Sequence, residues 1–219
     1  MISHERAAPL SARAEQKRQT RQALLDATLN LIASGKAFGT LSLREVARAA
    51  GIVPTGFYRH FDDMDALGLA LVNEVGEAFR DTIRLVRHNE LVLGGLTDAS
   101  VRIFLDAVHS HRAHFLFLAR EQFSSSARVR QGLLRLRSAI SSDLAADLSH
   151  MPRWAHLNQP ALEVMADLVV KAVFAALPEL LEPEGRDGTG LAPADKIRQQ
   201  LRFIFIGAKH WPGLARLAP

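Results

Sequence analysis

Thr55, Tyr58 and Arg59 stand close together in the stretch GIVPTGFYRHF, residues 51–61. An arginine fork matches the two acceptors on a guanine edge, threonine can meet a thymine methyl or a phosphate, and a tyrosine hydroxyl can hold a phosphate oxygen. On a helical wheel of 100° per residue with Phe57 pointing inward, Thr55 and Arg59 face outward and Gly56 and Tyr58 flank them. Val53, Pro54, His60 and Phe61 then fall within about 60° of the core direction. This is the residue pattern of a major-groove reader.

Such a reader needs a second helix behind it. Ser42 and Glu45 in SLRE form a capping box that opens a helix ending at Gly51, where the left-handed conformation of a tight turn is available. Ala47 is small where two helices touch, and Phe57 is a large anchor, so residues 42–61 spell a helix-turn-helix with its second helix over 53–61. Pro54 suits a first helical turn, where its missing N–H is no loss. Gly56 costs about 1 kcal/mol relative to Ala in a helix interior, and is expected to let the backbone approach DNA closely. A first helix from after Ser11 to Ser34 buries Leu24, Ala27 and Leu31, stops at Gly35, and carries Lys17, Arg18 and Arg21 near its start.

Charge is divided unevenly. Residues 1–61 hold nine Lys/Arg against four Asp/Glu, leaving 18 against 19 in residues 62–219. The excess positive charge of the N-terminal quarter favours a polyanion as partner. Apolar residues make up 48% of the 219, enough for a buried core, and there is no cysteine, which excludes disulfides and thiolate-ligated metals. No export segment or long uncharged apolar stretch is evident, so a cytoplasmic protein is expected.

The whole chain follows helical periodicity, with almost no period-2 alternation, so the fold class is all-α. An N-terminal three-helix domain, residues 1–63 with a basic arm, precedes a larger helical bundle, residues 64–219. Asp63 can cap a long helix over 64–89, ended by GlyGly at 94–95. Further helices are expected over 97–110, 112–123, 127–149, 160–181 and 194–211, with a flexible loop in the Pro/Gly-rich run 183–193. In 160–181 the charges Glu163, Asp167 and Lys171 lie on one narrow stripe, leaving two faces to bury. Either the helix is enclosed within one chain, or it joins 194–211 in packing against a second copy. A homodimer would use Val164, Leu168, Phe203 and Ile206.

Apolar and aromatic side chains of the second half, Phe104, Phe117, Phe123, Val173 and Phe174 among them, can line a cavity between helices or simply form core. In the pair Arg120 and Glu121, following PheLeuPheLeuAla, at least one charge is expected to be partly buried and to need a partner. His109, His111 and His114 do not share a helical face and read as a surface turn, not a metal site. No HExxH, GxSxG or P-loop pattern occurs, so catalysis is not indicated and no cofactor is expected.

RQTRQALLDATLNLIASG, then LSLREVARAAGI, then FYRHF resembles the DNA-binding domain of TetR-family repressors over about residues 13–75. The resemblance implies that Ser42 and Arg44, with Thr55 and its neighbours Pro54 and Gly56, read or approach bases, and that Tyr58, His60 and the start of the first helix hold phosphates. Where the family often has Ser before the reading helix, Gly then Thr ahead of the apolar anchor, and Lys at the start of the fourth helix, this chain has Val53, Thr55 then Gly56, and Met64. The run SLREVARAAGIVPTGFYRHFDDMDALGLALV resembles the fatty-acid-responsive FabR and DesT subgroup, as do GGLTDASVRIFLDAV, FLFLAREQF, DLVVKAVFAALPELL and LRFIFIGAKHW. That resemblance implies a homodimeric repressor of unsaturated-fatty-acid synthesis or desaturase genes, bound to a near-palindromic DNA operator. Its effector would be a long-chain acyl-CoA, with the acyl tail lying among the residues named above. Two other readings follow from the residues: a repressor sensing another hydrophobic small molecule, and a non-catalytic carrier of hydrophobic ligands.

Overall fold

Leu24, Leu25, Leu29 and Ile32, each 5% exposed or less, run down the inner face of the first helix, α1, Ala12–Ala33. Its stop lies in Gly35, whose φ of +102° lets the Lys36 N–H donate to the Leu31 carbonyl at 3.1 Å and the Gly35 N–H to Ile32 at 3.0 Å. These are the paired bonds of a Schellman stop. A 3-10 turn, Phe38–Thr40, then buries Phe38. The second helix, α2, Leu43–Ala49, begins with the capping box: Ser42 Oγ accepts the Glu45 N–H at 3.2 Å, and Glu45 Oε2 accepts the Ser42 N–H at 3.0 Å. At its end Gly51, φ +72°, repeats the Schellman pattern, with the Ile52 N–H on the Ala47 carbonyl at 2.9 Å and the Gly51 N–H on Arg48 at 3.1 Å.

The computed structural model describes residues 12–93, 98–181 and 191–212, with side chains described outside 83–100, and every regular element among them is helical. After α3, Pro54–Phe57, come α4 (Met64–Leu93), α5 (Asp98–Ser110), α6 (Arg112–Glu121), α7 (Ala127–Ser149), α8 (Gln159–Leu181) and α9 (Pro193–Lys209). A second 3-10 turn, Pro152–Trp154, links α7 to α8. The expected break at 94–95, the basic arm before residue 12 and most of the Pro/Gly-rich run lie outside the described residues. Helix α4 continues past its expected end at 89, because apolar Leu91, Val92 and Leu93 follow Asn89 and Glu90 with no breaker before Gly94.

Helix α4 is the spine. It packs on α1, α5, α6 and α7, while α8 packs on α6, α7 and α9. Its N-terminus is capped by Asp63, whose Oδ1 accepts the Ala66 N–H at 2.6 Å, and whose Oδ2 accepts Arg128 Nη1 of α7 at 2.8 Å. The Ala66 N–H bond holds the Asp63 carboxyl below the usual carboxylate range against the effect of burial, and Arg128 adds to it. Close packing supports the same junction: a Cβ on Gly68 of α4 would stand 2.7 Å from Val129 of α7 and 2.9 Å from the Phe38 ring. Residues 12–63 are thus held by α6 and α7 as well as running directly into α4.

The buried residues singled out above for a cavity lie in two parts of one core. Phe79, Phe104, Phe115 and Phe174 form a ring cluster with centroid separations of 5.7–6.4 Å, and Val173 is buried beside them. Phe117 lies elsewhere, edge-on to Phe38 at 5.5 Å, in the junction with the N-terminal helices. Arg120 also reaches that junction, with Nη1 3.4 Å from the Ile32 carbonyl, while its neighbour Glu121 is the buried member of the pair. Phe123 is 89% exposed, which sets it outside any interior cavity: it follows the last turn of α6, where the chain leaves the helix axis and the helical phase no longer points it inward. His109 bonds its own helix at the Leu105 carbonyl, and His111 and His114 meet edge to face at 5.8 Å.

Candidate nucleic-acid interface

The reading segment is shorter than its sequence pattern implies. Helix α3 is a single turn, Pro54–Phe57, and beyond it the bonds tighten: Arg59 N–H to Gly56 at 3.2 Å and His60 N–H to Phe57 at 2.8 Å. A four-residue helix containing glycine has too few bonds to propagate, so residues 58–60 form a turn before Phe61 returns to the core. Phe57 is fully buried and Phe61 is 5% exposed, their rings 5.7 Å apart. They fix the segment from behind.

Thr55, Tyr58 and Arg59 face solvent as the wheel implied, and Tyr58 is 62% exposed with its ring edge-on to Phe57 at 6.0 Å. Gly56 and His60 are half-buried. Val53 and Pro54 are not inward: Val53 is 67% exposed and Pro54 is exposed. The reason is that Val53 is the N-cap, with extended φ −71° and ψ 146°, so the 100° step of a helix does not apply to it.

Helix α1 delivers positive charge to the same place. The Arg21 guanidinium lies 4.9 Å from the Phe61 ring centroid, a cation–π contact. Burial, then the charges of Lys17, Arg21 and Arg59, hold the His60 imidazole below the ordinary histidine pKa. Its Nδ1 is buried without a hydrogen-bond partner. Arg18 instead pairs with Glu15 on the exposed face of α1, Nη2 to Oε1 at 2.7 Å. Ser42 is occupied by the capping box, and Arg44 beside it is exposed. Glu45, drawn down to about 2 by Lys36 and by Ser42, completes a fixed ionic cap at the start of α2.

In the second half of the chain, Val164 and Leu168 of α8 and Phe203 and Ile206 of α9 are exposed by 59%, 47%, 82% and 62%. An apolar groove of about 290 Å³ lies between the two helices, lined by Pro160, Val164, Leu168, Phe203, Gly207 and Trp211 among others. The charged stripe of α8 runs beside it, with Lys171 paired to Asp167.

Residues 93–207 match the sequence model described as tetracyclin repressor-like, C-terminal domain, and residues 24–71 match that of bacterial regulatory proteins, tetR family. The chain belongs to the TetR family. It is a DNA-binding transcriptional regulator by that membership, and the tetR-family match at 24–71 takes in the second half of α1, all of α2 and α3, and the start of α4. A TetR-family structure from Syntrophomonas wolfei has the same fold with a TM-score of 0.66 at 14% identity, covering 90% of this chain and 98% of that one. Another from Rhodococcus sp. gives 0.62 at 20% identity, over 86% and 98%. The fatty acid degradation regulator FadR from Bacillus halodurans gives 0.62 at 12% identity, over 86% and 95%. No described helix is long and apolar enough to cross a membrane.

A DNA phosphate at the Lys17, Arg21, Arg59 zone would reverse the electrostatics at His60. In the free protein the folded state holds fewer protons there than the unfolded chain, so the stability from neutral His60 is present above the unfolded value near 6.5 and is lost as pH falls through the lowered one. A phosphate beside His60 would favour the imidazolium, and binding would then take up a proton. DNA affinity of the wild type is therefore expected to weaken as pH rises from about 5.5 to 8 at constant ionic strength, and His60→Gln to flatten that slope. Fluorescence anisotropy on a labelled duplex measures both.

Proposed function

We propose that this TetR-family regulator is a homodimeric repressor that binds a near-palindromic operator and senses the saturation of a long-chain acyl-CoA. The observation that carries the proposal is the pairing of two surfaces on one chain: a reading head with exposed Thr55, Tyr58 and Arg59 and the Arg21 guanidinium over Phe61, and an exposed apolar face on α8 and α9. Two-fold packing of that face would set two heads on successive major grooves, roughly 34–36 Å apart. Val164, Leu168, Phe203 and Ile206 are the residues that a partner copy would cover.

The effector part rests on the apolar body and on likeness. The ring cluster of Phe79, Phe104, Phe115 and Phe174, with Val173, is the element that an acyl tail would pry apart, and α4 passes directly from Phe79 to the head at Met64. The sequence resemblance to FabR and DesT, and the shared fold of a fatty acid degradation regulator, favour a lipid over other hydrophobic effectors. Arg120 and Phe117 belong to the junction that would transmit the change, beside the Asp63–Arg128 pair. An effector shifts the population only by binding DNA-competent and incompetent arrangements unequally.

Oleoyl-CoA and palmitoyl-CoA test the proposal directly. Operator affinity is expected to rise with the kinked chain and fall with the straight one, consistent with control of desaturase or unsaturated-fatty-acid synthesis genes in the cytoplasm. Equal effects of the two thioesters would leave a TetR regulator of another hydrophobic molecule and remove the lipid reading.

A further inference from the structure

Val53 is a position of the reading head where residue type and local structure disagree. As the N-cap of α3 it stands where serine, threonine, aspartate or asparagine would accept a backbone N–H, and its side chain makes no cap bond. Burial does not compensate, because the side chain is 67% exposed. A residue that neither caps its helix nor fills the core breaks a local rule, as residues at functional sites do.

Its surroundings indicate what lies outside. Exposed Pro54 and Thr55 follow it directly, and Val53 Cγ2 lies 3.9 Å from where a Cβ on half-buried Gly56 would stand, next to Ile52 Cδ1 at 3.8 Å. Polar Thr55 and Arg59 are exposed on the same short segment. A reading head pressed into the major groove loses its water, and the apolar feature that the base edges present there is the 5-methyl group of thymine.

We infer that Val53 is a specificity residue that packs on the 5-methyl group of a thymine in each operator half-site. The inference rests on the operator-binding function proposed above. It separates roles on the head: Arg59 supplies hydrogen bonds to bases, Lys17, Arg21 and His60 hold phosphates, and Val53 reads shape by a methyl-to-methyl contact.

Selection of bound duplexes from a random pool by the full-length protein supplies the operator, and uracil then replaces its thymines one symmetric pair at a time, removing the methyl and nothing else. At one pair the wild type is expected to lose about fourfold in affinity per half-site, or roughly 15-fold in all, the worth of burying one methyl twice. Val53→Ala should bind thymine and uracil duplexes within about twofold of each other at that pair, and Val53→Thr, which keeps one γ-methyl, should fall between, on the same scale. Thermal melts of both variants establish that they fold. Wild-type binding indifferent to every replacement, or a loss undiminished in Val53→Ala, overturns the inference while leaving an operator-binding regulator. A pool with no enriched sequence overturns that function and the inference together.

Discussion

Phe203→Glu combined with Ile206→Glu is expected to give a folded monomer that binds operator at least about a hundredfold more weakly than the wild type, since linking two reading heads is worth roughly 10²–10⁴ in affinity. Both residues are exposed, by 82% and 62%, so the charges meet water in the isolated chain and the helical content should not change. In a dimer the same carboxylates would be driven into the groove bordered by Val164, Leu168 and Trp211, without a compensating cation among those side chains. Sedimentation velocity measures the loss of the dimer, and anisotropy the loss of binding. A double variant that still sediments as a dimer would mean that another face joins the subunits.

Arg59→Ala carries the other large effect. A bidentate arginine–guanine pair is worth about 1–3 kcal/mol, so its loss in both half-sites should weaken operator binding by about 2–6 kcal/mol, from roughly thirtyfold to more than 10⁴-fold. The side chain is exposed, so stability should stay within about 0.5 kcal/mol of the wild type. Arg59→Lys separates the roles, because it keeps the charge and loses the fork. If Arg59 reads a base, the lysine variant binds nearly as poorly as alanine and tolerates other bases at one operator position. If Arg59 only holds phosphate, lysine restores most of the affinity and the salt dependence.

Caps and periodicity made most of the fold legible. Ser42 with Glu45, and the glycines at 35 and 51, each announce a local bond pattern that needs no distant partner, and the structure forms them as read. Helix α7, Ala127–Ser149, has the expected bounds, with Ser126 Oγ accepting the Val129 N–H at its start. The reading segment was less legible, because a wheel assumes helical backbone at every position. Val53 sits one residue before the helix begins, and α3 ends at Phe57 instead of reaching Phe61. Its exposure could have been anticipated from Pro54, which marks the first helical turn and so makes the residue before it extended.

Long-range choices were the other gap. Phe117 and Phe104 are both apolar helix residues, yet one meets Phe38 and the other meets Phe79, a partition that depends on how α6 crosses α1 and α5 crosses α4. Periodicity gives a face and no partner. Asp63 was legible as a cap, but its bond to Arg128, 65 residues away, was not. That pair ties the start of α7 to the start of α4, at the residue from which the reading head hangs.

The most direct measurement is the affinity and stoichiometry of the full-length protein on its selected duplex and on a scrambled duplex of the same composition, at one fixed salt concentration. A dimeric operator-binding regulator predicts two chains per near-palindromic duplex and a preference of at least about 10³ over the scrambled one. Equal affinity for the two duplexes, or one chain per site, would contradict it.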